Sequence, residues 1–276
     1  MLFEDMLKAV IIASANDASL ALGELVAGGE AAFIQRMNNR AKELGMEHTC
    51  FLNCTGLPAK GHFSCARDVA AMSRELLKYD IIRKYSTVWL DSVRGGAFGL
   101  TNTNKMVRTY TGLTGLKTGY TSEAGFCVSS TALRDGMELI AVVLGANTSA
   151  QRFETAAAML DFGFANWTII DASEGLEFPG VEVDLGKEET AVPQLSSSPM
   201  MLVEKERVNE LITSLDLVES VKAPVARGQK LGELTVSDGE STLLKVDVVA
   251  SSGIERLRWI DVFELCLKTM FLSANK

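Results

Sequence analysis

Two short groups of polar residues in this chain have the types and the order that acyl-transfer chemistry uses. Ser14-Ala15-Asn16 forms an S-x-N triplet where a helix is predicted to begin, and Lys117-Thr118-Gly119 forms a K-T-G triplet on a predicted strand. Acyl transfer to a side chain needs an activated nucleophile, a group that protonates the leaving amine, and an anchor for the substrate. Each triplet is weak alone, whereas their order and their spacing together are specific.

Each candidate residue also has a simpler interpretation. Ser14 and Asn16 could cap a helix, because serine and asparagine are favoured N-cap residues. Lys117 could be a solvated lysine on an edge strand. Arg152, in Gln151-Arg152-Phe153, could be an arginine on a helix surface. The joint occurrence of the motifs favours the catalytic interpretation over these separate ones.

The elements that must position these residues form a mixed α/β region. Apolar residues at helical spacing predict helices over 2–12, 16–28 and 30–44, and a further helix after Ser64 that runs to Leu77, with Asn16, Asp17 and Ser64 as candidate N-caps. Three strand-like runs follow over 115–120, 126–133 and 139–146, the last two joined by an Asp135-Gly136 hairpin turn. A helix over 150–167 comes next. This order predicts a sheet with helices packed against it.

The second half of the chain has a different texture. Short alternating runs over 175–251, separated by Pro179-Gly180, Arg227-Gly228 and Asp238-Gly239, predict a small all-β domain. The segment 253–276 reads as an amphipathic helix with a polar stripe at Arg258, Asp261, Glu264 and Lys268. Such a helix could lie at a membrane interface or dock on protein. We therefore expect domains at 1–173 and 174–251, followed by a C-terminal helix at 252–276.

The motifs resemble those of serine D-alanyl-D-alanine carboxypeptidases, the low-molecular-weight penicillin-binding proteins of peptidase family S11. That superfamily uses S-x-x-K, then S-x-N, then K-T-G. The chain has the matching segments in that order: Ser14-Ala-Asn-Asp-Ala18, Gly56-Leu57, Phe63-Ser-Cys-Ala-Arg-Asp68 and Lys117-Thr-Gly-Tyr-Thr-Ser-Glu-Ala-Gly125. The resemblance implies an α/β (α+β) penicillin-binding, β-lactamase-like transpeptidase domain, followed by the β domain and the C-terminal helix.

The resemblance also implies a role for each matching residue. Ser14 would relay a proton to the departing D-alanine, and Asn16 would hydrogen-bond the substrate amide and the motif lysine. Lys117 and Thr118 would bind the terminal carboxylate, with Arg152 as a further charged contact. Gly119 would let the substrate lie close to the strand backbone. No metal ion and no organic cofactor is implied.

The S-x-x-K motif, which carries the nucleophile in the family, has no counterpart before Ser14. In this chain the spacing occurs once, at Ser273-Ala-Asn-Lys276, in the wrong order and inside the predicted C-terminal helix. We therefore expect a catalytic domain that is incomplete at its N-terminus and inactive alone. We also expect the apolar strand 139–146 to be an open sheet edge, which favours aggregation.

The expected substrate is the peptidoglycan stem peptide that ends in D-Ala-D-Ala, and β-lactams are expected ligands of the full-length family. Alternatives on the same scaffold are a D,D-endopeptidase or a β-lactamase, although the turn-rich segment 55–62 lacks the acid that a class A β-lactamase would need. A different class of alternative is a non-catalytic fragment that binds wall peptide or a partner through Lys117, Thr118 and Arg152.

Composition narrows the remaining function classes. The net charge of −8 argues against nucleic-acid binding, which needs a basic face. Five cysteines form no disulfide or C-x-x-C pattern, and Cys50 and Cys54 near His48 and His62 fit no common zinc spacing. The start of the chain lacks the basic segment of a secretion signal. The family resemblance nevertheless implies an extracytoplasmic, membrane-associated protein, with peripheral contact through 253–276.

Overall fold

The structure is a computed structural model that describes residues 1–263. The chain divides into two compact units, one from Met1 to Asn166 and one from Trp167 onward. The domain limits predicted at 173/174 and 251/252 remain predictions.

The N-terminal unit has four helices, a long loop with one more helix and a small hairpin, and then a sheet with its final helix. In chain order its elements are α1 (Phe3–Ala13), α2 (Asn16–Ala27), α3 (Glu30–Glu43), α4 (Ala66–Leu76), α5 (Asp80–Ser86), β1 (Leu90–Val93), β2 (Phe98–Thr101), a 3₁₀ helix (Lys105–Arg108), β3 (Leu113–Thr121), β4 (Gly125–Arg134), β5 (Met137–Ala146) and α6 (Ser149–Asn166).

Most predicted helices are confirmed, but their caps are not. The N-cap residue of α2 is Ala15 and that of α4 is Cys65, and no side chain caps either helix. Ser64 instead pairs its hydroxyl with that of Thr49 at 2.9 Å. The sequence did not predict α5, β1 and β2, because these elements are only four to seven residues long and are too short to show a helical or strand-like apolar period.

The sheet of the N-terminal unit is antiparallel in the order β3-β4-β5. The predicted hairpin is confirmed: Asp135 and Gly136 both have positive φ, at 48° and 78°, as a two-residue turn with right-handed twist requires. Lys117 of β3 lies opposite Ser129 of β4. Among the described residues β5 has a strand on one side only, so it forms the edge that the sequence predicted.

Helices cover both faces of this sheet. The Ser129 hydroxyl bonds that of Ser73 in α4 at 2.7 Å, so Ser129 and its partner Lys117 face α4. On the opposite face α6 comes so close that a Cβ on Gly163 would lie 2.4 Å from Leu139. Because side chains alternate along a strand, this arrangement points Lys117 toward the helices of the first half.

A buried carboxylate holds the loop before α4. Asp68 accepts hydrogen bonds from the His48 amide at 2.8 Å and from the Thr49 hydroxyl at 2.7 Å. These bonds, with that of Thr49 the largest cause, keep the pKa of Asp68 below its ordinary value of 3.8. The last residue of the F-S-x-A-R-D segment therefore has a structural role.

Asp68→Asn is expected to lower the free energy of unfolding at neutral pH, because a neutral amide oxygen accepts the hydrogen bonds from His48 and Thr49 more weakly than a carboxylate does. A carboxyl with a depressed folded pKa stabilises above its unfolded pKa, and this stabilisation is lost as pH falls through the folded pKa. The difference in urea midpoint between wild type and variant should therefore be largest at pH 7 and should disappear as the pH falls below 4. A gap that stays constant down to pH 2 would contradict this role.

The C-terminal unit is the small all-β domain that the sequence predicted. Its strands are β6 (Trp167–Asp171), β7 (Val181–Asp184), β8 (Thr190–Ala191), β9 (Pro193–Leu195), β10 (Met200–Glu204), β11 (Ile212–Leu217), β12 (Ser220–Lys222), β13 (Lys230–Ser237) and β14 (Thr242–Ala250). They form sheets in the orders β11-β13-β14-β9, β12-β7-β8 and β10-β6. Buried aliphatic side chains, including Val181, Leu231 and Ile254, fill its core.

The predicted C-terminal helix is only partly described. Residues 259–263 are helical, and Arg258 pairs with Asp261 at 3.3 Å. The side chains of Trp259 and Phe263 are 80% and 56% exposed. Glu264, Lys268 and the Ser273–Lys276 match lie outside the described residues. Up to residue 263, no helix has the length and hydropathy needed to cross a membrane.

Candidate active site

The S-x-N residues lie at the junction between α1 and α2. Ser14 ends α1 in the left-handed conformation, at φ 60° and ψ 41°, and its amide donates to the Val10 carbonyl. A non-glycine residue rarely adopts this conformation, and such positions concentrate at functional sites. Within residues 1–263 neither the Ser14 hydroxyl nor the Asn16 amide group makes a hydrogen bond, and both residues are exposed. The helix-cap interpretation is therefore wrong.

The K-T-G residues occupy the middle of β3. The Lys117 ammonium is largely buried and donates to the Thr118 carbonyl at 3.1 Å. Burial, and secondarily the charge of Arg152, lowers the pKa of Lys117 to about 8. Although β3 lies at an edge of the sheet, its Lys117 ammonium is largely buried, so the interpretation of Lys117 as a solvated lysine is also wrong.

A cleft of about 470 Å³ brings the two motifs together. Its lining includes five of the six predicted site residues, although Ser14 and Lys117 are 103 residues apart in the chain. The lining residues are Ser14, Asn16, Thr55, Gly56, Leu57, Lys117, Thr118, Gly119, Tyr120, Thr121, Ala124 and Cys127. Among these, the two motifs contribute the hydroxyls of Ser14 and Thr118, the carboxamide of Asn16 and the ammonium of Lys117, a set that suits a substrate with a carboxylate next to an amide.

Arg152 is the predicted site residue that does not line the cleft. It lies in α6, is 7% exposed, and donates from Nη1 to the carbonyls of Gly119 at 3.0 Å and Cys127 at 3.2 Å. The pairing of β4 with β5 skips Cys127, and the guanidinium satisfies the carbonyl there. Arg152 is not the surface arginine of the simpler interpretation, and its contact with a substrate carboxylate remains a prediction.

Several cleft residues were not singled out from the sequence. Cys127 lies directly opposite Gly119, so the strand register would have placed it there. The ring of Tyr120 packs on Phe126 with centroids 4.3 Å apart, and Tyr120 remains 60% exposed. Gly56 lies in a turn in which its backbone amide donates a hydrogen bond to the Asn53 side-chain oxygen at 2.7 Å. The Asn-x-Thr-Gly pattern at 53–56 is typical of turns stabilised by an asparagine side chain, so the sequence could have predicted this turn.

Gly119 leaves open space at the point where a substrate would approach the strand. A Cβ built on Gly119 meets no atom within 4 Å, and the residue does not have a positive φ. The fold itself therefore has no need for glycine at this position. Like Lys117, two residues earlier, it points to the α4 side of the sheet.

Gly119→Ala should leave the melting temperature nearly unchanged and weaken binding of an acyl-D-Ala-D-Ala peptide by roughly tenfold or more, because the methyl group occupies the cleft. Gly99→Ala in β2 is the matched control, since a Cβ there also meets nothing within 4 Å. Calorimetric titration and thermal denaturation of both variants measure the two effects. Equal peptide affinity in Gly119→Ala and wild type would contradict a substrate path along this strand.

An apolar groove of about 670 Å³ continues from the cleft. The groove and the cleft share Thr55, Gly56 and Lys117, and the other groove residues are mostly aliphatic, aromatic and methionine side chains: Val26, Phe33, Met37, Ala41, Leu44, Met46, Phe51 and Met72. His62 also lines it, with its Nδ1 buried and without a hydrogen-bond partner in the described structure. Burial lowers the pKa of His62, so the ring is neutral at pH 7.

The cysteine and histidine residues near this groove do not assemble into a metal site. Cys54 donates its thiol to Glu30 at 3.5 Å, and burial raises its pKa. Among residues 1–263 no three histidine, cysteine or acidic side chains lie together in a way that could hold a metal ion.

Comparison with known proteins identifies the family of both units. The family model of D-alanyl-D-alanine carboxypeptidases, peptidase S11, matches residues 1–148, and that of the penicillin-binding protein 5 C-terminal domain matches residues 172–256. The D-alanyl-D-alanine carboxypeptidase DacF of Bacillus subtilis is 36% identical over 94% of this chain, which spans 68% of that relative. DacC of Escherichia coli is 32% identical over 91% of the chain, which spans 63% of it.

Solved structures show the same fold. Penicillin-binding protein 5 from Haemophilus influenzae aligns with a TM-score of 0.68 and 25% identity, over 91% of this chain and 74% of that one. Penicillin-binding protein D2 from Listeria monocytogenes, solved with cefotaxime bound, aligns with a TM-score of 0.56 and 35% identity, over 59% of this chain and 67% of that one. With the family-model match over residues 1–148 and the 36% identical relative, these findings show that the chain belongs to the peptidase S11 family of D-alanyl-D-alanine carboxypeptidases.

Proposed function

We propose that this chain provides the substrate-binding and proton-relay part of a serine D-alanyl-D-alanine carboxypeptidase site. The observation that carries the proposal is the single cleft that joins Ser14 and Asn16 to Lys117 and Thr118. The reaction removes the terminal D-Ala from a peptidoglycan pentapeptide through an acyl-enzyme. The seryl oxygen of an S-x-x-K motif forms the ester bond, and the peptide bond to the terminal D-Ala breaks.

The geometry supports a division of roles in this reaction. Lys117 and Thr118 attract and orient the terminal carboxylate. The Lys117 ammonium is largely buried and has no carboxylate partner among residues 1–263, so it favours an incoming anion. The Ser14 hydroxyl is free to pass a proton to the departing amine, and the Asn16 carboxamide is free to bond the scissile amide. Water then hydrolyses the ester and releases the shortened peptide.

The apolar groove supports a place for the S-x-x-K motif. A helix is about 10 Å wide, and its apolar face would bury the remaining exposed surface of the half-buried methionine and aromatic side chains of the groove. The groove shares Thr55, Gly56 and Lys117 with the cleft, so a serine at that end of the helix would lie next to the cleft. We propose that an S-x-x-K helix occupies this groove in the active enzyme.

The same site supports binding of β-lactams, since the family is one of penicillin-binding proteins and a related structure holds cefotaxime. A substrate in peptidoglycan implies action outside the cytoplasmic membrane. Trp259 and Phe263, which are exposed, support peripheral membrane contact by the C-terminal segment. We propose this location and contact for the full-length protein.

A second candidate function is binding of wall peptide without catalysis. It is favoured by one observation: the 276 residues contain no S-x-x-K motif apart from Ser273–Lys276. On this account the cleft recognises the D-Ala-D-Ala end, and no acyl-enzyme forms on the 276-residue polypeptide.

A chimera tests the enzymatic proposal. The segment of the Bacillus subtilis relative that precedes its matched region is joined to Met1, and the product is incubated with benzylpenicillin before intact-mass measurement. We expect one covalent adduct on the supplied S-x-x-K serine and D-Ala release from a pentapeptide, and no adduct when that serine is alanine. A folded chimera that neither acylates nor releases D-Ala would contradict the proposal. An adduct on Ser14 of the 276-residue chain would contradict its role as a proton relay.

A further inference from the structure

The loop between β2 and the 3₁₀ helix contacts both motif-bearing elements of the cleft. The Thr103 amide donates to the Ile12 carbonyl at 3.1 Å, in the last turn of α1 before Ser14. The hydroxyls of Thr103 and Thr118 are 2.7 Å apart and hydrogen-bonded. Thr103 therefore links, through one residue, the helix that ends at Ser14 with the strand that carries Lys117 and Thr118.

The residues on either side hold Thr103 in a fixed place. Asn102 is 3% exposed and its Nδ2 donates to the carbonyls of Ser86 at 2.9 Å and Val88 at 2.8 Å. Asn104 is fully buried, and its amide donates to the Asn102 side chain at 2.8 Å. A buried polar network in which the groups are satisfied is rigid and specifies one arrangement.

A second set of bonds ties this network to the chain on both sides. The Asn104 Oδ1 accepts the Met106 amide at 3.1 Å, and the Asn102 amide donates to the Trp89 carbonyl at 2.9 Å. The loop is thereby fixed to the 3₁₀ helix and to the segment before β1. Because these hydrogen bonds hold the loop, the scaffold sets the position of the Thr103 hydroxyl.

We infer that Thr103 is a positioning residue of the active site, which fixes the side-chain rotamer of Thr118 and the spacing of β3 from Ser14. Thr103 does not line the cleft, so it acts through Thr118. The inference rests on the proposed function, in which the Thr118 hydroxyl binds the substrate carboxylate.

The chemistry of two paired hydroxyls explains how this positioning serves binding. A hydroxyl donates one hydrogen bond and accepts two. In the structure the Thr118 hydroxyl donates to the Thr103 oxygen. When a carboxylate arrives, the Thr118 proton turns to the anion, and the bond between the two hydroxyls reverses, so that Thr103 donates to the Thr118 oxygen. The pair thus keeps its bond while Thr118 donates to the anion, and Thr118 does not have to search among rotamers.

Two substitutions separate the hydroxyl from the rest of the residue. Thr103→Val keeps the side-chain shape and the hydrogen bond from the backbone amide to the Ile12 carbonyl, but it removes the hydroxyl. Thr103→Ser keeps the hydroxyl. The χ1 rotamer of Thr118 is measured in each by three-bond couplings to its methyl carbon. We expect one rotamer in wild type and in Thr103→Ser, and averaging in Thr103→Val. A single Thr118 rotamer in Thr103→Val would overturn the inference, whether or not any ligand binds.

Ligand affinity gives the functional readout. An acyl-D-Ala-D-Ala peptide and its C-terminal carboxamide are titrated into each variant. The carboxylate peptide should bind Thr103→Val roughly three- to tenfold more weakly than wild type, Thr103→Ser should be close to wild type, and the carboxamide should be affected little. Equal losses in both variants would mean that the hydroxyl is not the acting group and would overturn the inference. Failure of wild type to bind the peptide would instead contradict the proposed function.

Discussion

Replacing Lys117 with methionine should make the protein more stable at pH 7 and remove most of its affinity for peptides that end in D-Ala-D-Ala. The depressed pKa of about 8 means that the folded state disfavours the charged lysine relative to the unfolded chain, where its pKa is near 10.5. That difference corresponds to a cost on the order of 3 kcal/mol in the free energy of unfolding, which an apolar side chain of similar length avoids. Loss of the ammonium should weaken carboxylate binding roughly tenfold to a hundredfold.

The pH dependence gives this prediction a second test. Below about pH 8 Lys117 is protonated in both states, so its cost is fully present there. As pH rises from about 8 to 10.5 the folded state loses the proton first, and the cost disappears. The stability gap between Lys117→Met and wild type should therefore be constant below pH 8 and shrink above it. Lys60→Met, at an exposed position, is the control and should show no gap. A destabilised Lys117→Met variant would contradict this account.

Removing the guanidinium of Arg152 should weaken both the sheet and the site. Arg152→Met leaves the Cys127 carbonyl without its partner where the β4–β5 pairing is interrupted, and removes the bond to the Gly119 carbonyl. Loss of charged hydrogen bonds to these partly buried carbonyls should cost about 2 kcal/mol in the free energy of unfolding. The pKa of Lys117 should also rise, because the nearby positive charge contributes to its depression.

Urea denaturation and the titration of the Lys117 side chain by NMR measure these two effects. Arg36→Met is the matched control, because Arg36 also donates to a carbonyl, that of Val26, but lies exposed on α3. Arg152→Lys retains the positive charge, so the pKa of Lys117 should stay close to its wild-type value. The free energy of unfolding should still fall, because lysine cannot reproduce both hydrogen bonds of the guanidinium. Unchanged stability together with an unchanged Lys117 pKa would mean that Arg152 does not support the strand.

The sequence predicted the elements that carry the site better than the contacts within it. The apolar period of the first three helices and the Asp135-Gly136 turn are local signals, and both were confirmed. The left-handed conformation of Ser14 was not visible, because it results from packing α1 against α2 rather than from a residue preference. In the sequence, Ser14 and Asn16 at a predicted helix start have the same pattern as N-cap residues.

Long-range pairing was the other part that the sequence did not show. Arg152 is 33 residues from Gly119 and meets its carbonyl only because α6 folds back on the sheet. Thr103 has an unremarkable type in an Asn-Thr-Asn run, and its bond to Thr118 depends on how the loop crosses α1. Burial of Lys117 likewise follows from the helices above the sheet, which a strand pattern alone does not reveal.

The most direct test of the central claim is an NMR titration of the 276-residue chain with acyl-D-Ala-D-Ala and with its L-Ala-L-Ala diastereomer. The account predicts saturable binding of the D,D peptide, with the largest shifts at the amides of Ser14, Asn16, Thr118 and Gly119, and little response to the L,L peptide. Equal binding of both peptides by folded protein, or D,D binding that perturbs residues away from this cleft, would contradict the claim that these motifs form a D-Ala-D-Ala site.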